Sequence, residues 1–252
     1  MRRTLTLAIL LILCSRISTF AQKAPRPKGR ITVAEILDKY VAATGGPEAW
    51  RALQTVDAHG RFGVPNLRNS SGDFDFYYKA PASDVFQLFM ISHGQTWAGH
   101  NRGTPFFNRT AGGALGINGV TVNILEENWL ALTDSAFDQH YTRIELVGLA
   151  EIDGKWAYAL RFTPKVGDPQ LRYYDCQSFL MVRMDLAQRI RMQKDDPELA
   201  YKVETYYSDY RDSGGVKFPR QIKATSSDGN IVLNIHDVRT NQPIDDAVFR
   251  QK

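Results

Sequence analysis

The sequence predicts an α+β fold: a single curved antiparallel sheet with an N-terminal helix before it and short helices inserted midway. Three observations predict it. A capped amphipathic helix begins at Thr32. From Val56 onward apolar residues recur at every second position, the strand period. Tight-turn sequences separate these runs, and one long stretch between Asn101 and Phe137 interrupts them.

Thr32 to Glu35 form a capping box, in which the Thr32 hydroxyl accepts from the third amide and Glu35 reaches back. Ile36, Leu37, Tyr40, Val41 and Ala42 follow at helical spacing, and Gly45-Gly46 supplies the left-handed stop. Pro47 opens a second short turn through Trp50 and Leu53. The helix needs a surface for its apolar stripe, and the sheet provides it. In residues 72–78, Phe74, Phe76 and Tyr78 share one face and Asp73 and Asp75 the other; Phe86, Leu88 and Met90 share a face in the next run. In Lys155–Phe162, Trp156, Tyr158, Leu160 and Phe162 alternate with Lys155, Ala157, Ala159 and Arg161. Asp153-Gly154 joins that strand to Thr142–Ile152. Leu171–Cys176 with Phe179–Met184 forms another hairpin, and Tyr201–Tyr210 with Val216–Ala224 a third; Ile231, Leu233 and Ile235 mark a last strand. Asn101–Gly119, rich in Gly, Asn and Thr, reads as a long loop, and Val122–Phe137 as one or two short helices. A sheet with one apolar face under helices encloses a pocket where packing is incomplete.

Met1-Arg2-Arg3, the apolar run Leu5–Leu13 and the small residues Thr19 and Ala21 form the pattern of a secretory signal peptide. The expected organisation is a signal peptide at 1–21, a flexible mature N-terminus at 22–31 and one domain over 32–252. Removing Arg2, Arg3 and Arg16 lowers the net charge from +4 to +1. That balance argues against nucleic acid as a partner, which requires a dense basic surface. Cys176 remains alone once Cys14 is removed, so no intramolecular disulfide is expected.

Several pieces, in order, carry a family resemblance: the helix Ile36–Gly46; a strand ending Lys79-Ala80-Pro81, followed by Phe86; His93-Gly94-Gln95-Thr96-Trp97; Glu151–Leu160 leading to Tyr173-Tyr174-Asp175 and Leu180–Arg183; Val216–Pro219; and the ending Asn241–Phe249. On these the chain resembles the LolA/LolB-type periplasmic lipoprotein carriers and the wider set of outer-membrane lipoprotein-sorting proteins. The resemblance implies a LolA-like half-barrel (an incomplete β-barrel covered by helices), a periplasmic location and an apolar cavity that holds acyl chains. The carrier has an Arg between the Lys and Pro of its Lys-x-Pro element; Ala80 stands there in this chain.

The residues point to no chemistry. His59, His93, His100, His140 and His236 form no close-spaced ligand pair with one another or with Cys; His93 and His100, seven apart, come nearest. There is no G-x-S-x-G elbow, and Gly112–Gly116 lacks the flanks of a phosphate loop. No catalytic residue, metal or cofactor is expected. The candidate ligand-lining residues are Phe74, Phe76, Phe86, Leu88 and Met90 from the early strands, with Trp156, Tyr158, Leu160 and Phe162 from the later one. They would form the wall for a lipid, an acyl chain or a lipoprotein, carried by a monomer with or without envelope protein partners. The alternative is an envelope structural or interaction protein with the same fold and a filled core. An enzyme would have its site in the Asn101–Gly119 stretch.

Overall fold

The computed structural model describes residues 26–65, 71–80, 83–90, 94–101, 104–109, 129, 131–135, 137–165, 167–190, 199–227 and 229–250. For 83–90, 94–101, 104–109, 188–190 and 199–201 it describes the backbone alone. The expected signal peptide lies outside the described residues.

Helix α1 (Val33–Ala43) starts where the capping box places it: the Thr32 hydroxyl accepts from the Glu35 amide at 3.2 Å, and Glu35 Oε2 accepts from the Thr32 amide at 2.7 Å. The helix buries Ile36, Leu37 and Tyr40. It stops at Gly45, whose φ of +133° is left-handed and whose Cα lies so close to the Gly215 carbonyl that a Cβ would stand 2.0 Å from that oxygen. The close approach lets the Thr44 carbonyl accept from the Lys217 amide at 2.9 Å, which ties the helix end to the sheet. α2 (Pro47–Ala52) follows; its Trp50 indole donates to the Thr44 hydroxyl at 3.0 Å.

Among the described residues twelve antiparallel strands make one sheet: β1 (Thr55–Gly63), β2 (Ser71–Lys79), β3 (Ser83–Met90), β4 (Gly94–Asn101), β5 (Thr104–Arg109), β6 (Tyr141–Ile152), β7 (Lys155–Pro164), β8 (Gln170–Asp175), β9 (Met181–Ile190), β10 (Leu199–Ser213), β11 (Val216–Ser226) and β12 (Gly229–Thr240). A short helix α3 (Phe137–His140) precedes β6, and a 3-10 turn at Asp246–Phe249 follows β12. The order across the sheet is β5-β4-β3-β2-β1-β12-β11-β10-β9-β8-β7-β6. Two meanders meet at the β1–β12 pair: one runs out from β1 to an edge at β5, and the other starts at the opposite edge, β6, and returns. Among the described residues β5 and β6 are not paired, so the sheet is open, as the sequence predicts. This order has a consequence for the chain between β5 and β6. It must pass from one edge of the sheet to the other. The described part of that connection is helical at 129 and 131–133, and Trp129, Ala131 and Leu132 are buried with α1 in one core.

Two expectations are corrected. Thr104–Arg109, read as part of a loop, is strand β5; Asn101 pairs with Thr104, leaving two residues between the strands. Gly, Asn and Thr suit a tight hairpin turn as well as a loop, which hid the hairpin. Residues 110–128 lie outside the described residues. The sheet is also apolar on both faces at one end: Ile152, Ala157, Ala159 and Tyr173 form a second buried cluster on the side away from the helices.

Candidate functional site between the arms of the sheet

On β2 the residues facing the helices are Phe74 and Phe76, both fully buried. Phe74 pairs with Gly60 of β1, and its ring lies so close that a Cβ on Gly60 would stand 2.6 Å away. Trp129 is laid over this wall. Its indole stacks on Phe76 at 4.8 Å and 15° and tilts against Phe74 at 6.4 Å. Trp129 is fully buried, yet its Nε1–H has no acceptor among the described residues. An indole N–H can only donate, and a buried donor without a partner is uncommon because it has lost water and gained nothing. By register, Phe86 opposes Phe76, Leu88 opposes Phe74 and Met90 opposes Gly72. The side chains of these three lie outside the described residues.

Across the interior, Leu160 and Phe162 of β7 are fully buried in the same core as Phe74 and Phe76. Tyr158 and Trp156 sit nearer the rim, half-buried; Tyr158 stacks on Phe179 at 6.1 Å, and Arg26 lies over the Trp156 ring at 5.5 Å. Beside Leu160 in register is Arg172 of β8, which is 1% exposed. Its guanidinium donates to the Tyr141 hydroxyl oxygen and to Gln170 Oε1 at 3.0 and 3.3 Å. It also lies over the rings of Phe162 at 4.3 Å and Tyr141 at 5.1 Å. Asp134, buried, holds Oδ2 at 3.9 Å from Arg172 and Oδ1 at 3.0 Å from His140 Nδ1. The hydrogen bond to Asp134 raises the pKa of His140, while burial pushes the Tyr174 phenol up to about 12 against the pull of Arg172.

Phe76 on β2 and Arg172 on β8 are six strands apart in the sheet, roughly 29 Å if the sheet were flat at about 4.8 Å per strand. Trp129 contacts Phe76, and Asp134 faces Arg172. Trp129 and Asp134 are five residues apart, which even a fully extended chain spans in at most about 18 Å. The sheet therefore curls, and Trp129 and Asp134 each touch one of its two arms. Sequence reasoning found the aromatic arm and missed the Arg172 cluster. The signal was the β7–β8 register: Leu160 faces in, so its partner Arg172 does too.

On the opposite face a cleft of about 540 Å³ is lined by residues that include Lys155, Ala157, Asp175, Val182, Tyr206 and Lys223. Its charges are of both signs, and Asp175 is already engaged by the Gln177 and Ser178 amides and the Ser178 hydroxyl. Among the described residues no group of three or more His, Cys, Asp or Glu side chains is placed to hold a metal. His93 and the side chain of His100 lie outside the described residues.

No protein-family model matches the sequence, and no curated protein matches it. Solved structures do match the fold. A LolA superfamily protein from Nitrosomonas europaea superposes with a TM-score of 0.55 at 14% identity, covering 88% of this chain and 99% of that one. The chain has the LolA fold. A DUF1329 family protein from Desulfovibrio piger matches with a TM-score of 0.50 at 16% identity, over 86% of this chain and 97% of its own. At such identities the likeness is one of fold. The LolA fold explains the open sheet with helices on one face; the Arg172 cluster and the Trp129 contact are read from this chain's own residues.

Proposed function

We propose that the protein is a non-catalytic periplasmic carrier or binding protein for a lipid or acyl chain, held between the arms of the sheet on the aromatic wall of β2. One observation carries this reading. Among the described residues the rings laid against Phe74 and Phe76 are those of Trp129, a side chain from the connection between β5 and β6. Apolar contact is non-directional, so a hydrocarbon chain can cover the rings that the indole covers. The Trp129 N–H, buried with no acceptor among the described residues, makes the filled state less favourable than a core filled by an aliphatic side chain. The N-terminal export pattern supports the location. Trp156 and Tyr158 at the rim suit the entry to such a site, and Leu160 and Phe162 suit its far wall.

The test is native mass spectrometry of protein purified without detergent. The expected result is a population carrying one additional lipid-sized mass that organic extraction removes. Bare chain in every preparation, with added lipid never retained, would overturn the reading. A second reading, an interaction protein of the envelope with a filled core, is favoured by the zero exposure of Phe74, Phe76, Leu160 and Phe162. It expects the bare chain, and crosslinking in intact cells to capture protein and no lipid.

A further inference from the structure

We infer that the ligand of this interior is an anionic amphiphile, an apolar chain ending in a carboxylate or phosphate, and that Arg172 receives its head group. The inference rests on the binding reading above and names a ligand class for it. A neutral lipid gives an apolar interior no use for a fixed cation. Arg172 is nevertheless 1% exposed inside it, and a guanidinium stays charged there. Among the described residues the groups within hydrogen-bond reach are neutral: the Tyr141 hydroxyl and Gln170 Oε1, with the ring faces of Phe162 and Tyr141 against the plane. These partners fix the orientation of the fork, and the charge that faces it among the described residues is the Asp134 carboxylate, an ion pair at 3.9 Å. The Asp134 carboxylate oxygen, at 3.9 Å, is beyond hydrogen-bond reach of the guanidinium, and the other Asp134 oxygen engages His140.

Residues 129–134 supply the second line of argument. The same short stretch that lays the Trp129 indole on the aromatic arm points the Asp134 carboxylate at the basic arm. An apolar group at one end and an acid at the other is the pattern of the ligand inferred here. A third observation agrees. Thr205 lies on the cross-strand row Arg172–Met184–Thr205, is fully buried, and its hydroxyl has no partner among the described residues. It is a donor in need of an acceptor oxygen two strands from the guanidinium.

The experiment is a fluorescence titration of the full mature chain with dansyl-labelled undecanoic acid and with its uncharged amide. The acid is expected to bind about tenfold more tightly than the amide, the usual range for a charge-assisted hydrogen bond in a dry site. Asp134→Asn removes the internal competitor, so it is expected to tighten acid binding severalfold and leave the amide unchanged. Arg172→Met, if it folds, is expected to equalise the two probes. Competition by laurate against dodecyl phosphate then distinguishes the two head groups, and displacement by either supports the inference. Equal binding of acid and amide in both the wild type and Asp134→Asn would overturn the head-group assignment while leaving the apolar reading standing. Binding of neither probe would overturn both.

Discussion

Phe74 and Phe76 on β2 and Arg172 on β8 face the same interior, and they hold the connection between β5 and β6 by different physics. The β2 wall offers rings alone, and Trp129 lies on it through stacking and tilted contact. That attachment scales with buried area and sets no demand on partner identity. The β8 side offers a cation fixed by Tyr141 and Gln170, with Asp134 and His140 arranged beyond it. That attachment depends on charge, direction and distance. The difference teaches that the interior is not uniformly oily. One arm is held by apolar contact alone, and the other by charge and hydrogen bonding.

The largest effect expected is on the aromatic arm. Phe76→Ala removes a fully buried ring and should cost about 3–5 kcal/mol in urea unfolding. Combined with Trp129→Ala the losses should fall short of their sum, because the two rings share one contact; combined with Arg172→Met they should add within about 0.5 kcal/mol, because the arms are separate. Strong coupling between Phe76 and Arg172 would break the comparison.

Asp134→Asn should cost less, about 1–2 kcal/mol, and its cost should depend on pH. The Asp134 hydrogen bond raises the folded-state pKa of His140, although the imidazole is 54% exposed. A raised folded value means the contribution is fully present below the ordinary histidine range and is lost as pH rises through the folded value. The gap between wild type and Asp134→Asn should therefore be wider at pH 5 than at pH 9. An NMR titration of the His140 ring checks the cause: its midpoint should fall in the variant. Thr32→Ala should cost about 1 kcal/mol, the loss of one helix cap far from either arm, with no change in probe binding. Cys176 sharpens the contrast without altering stability. Burial pushes its thiol up to about 11, so a disulfide reagent at pH 8 should modify it slowly in the folded chain and rapidly in urea.

Much of this architecture is legible in the sequence. The Thr32 cap, the Gly45 stop and the Asp153-Gly154 turn each specify their backbone locally, so the helix and the central hairpins follow from neighbouring residues alone. The alternation at Phe74 and Phe76, and at Leu160 and Phe162, places them on the helix-covered face, where the structure has them. Arg172 was not legible for a physical reason. In Leu171-Arg172-Tyr173-Tyr174 both faces carry large apolar groups, so alternation does not say which face turns inward; only the pairing with Leu160 decides it. The position of Trp129 was hidden in another way. It follows from β5 and β6 lying at opposite edges, which is a property of the whole sheet order and of no local pattern.

Replacing Trp129 and then titrating the protein with the uncharged dansyl amide reaches the heart of the matter. If the indole holds the place of a hydrocarbon chain, Trp129→Ala will stay folded and bind the amide several times more tightly than the wild type. A Trp129→Ala chain that binds no probe and loses the stability of a core tryptophan would show that the space between the arms belongs to the fold alone.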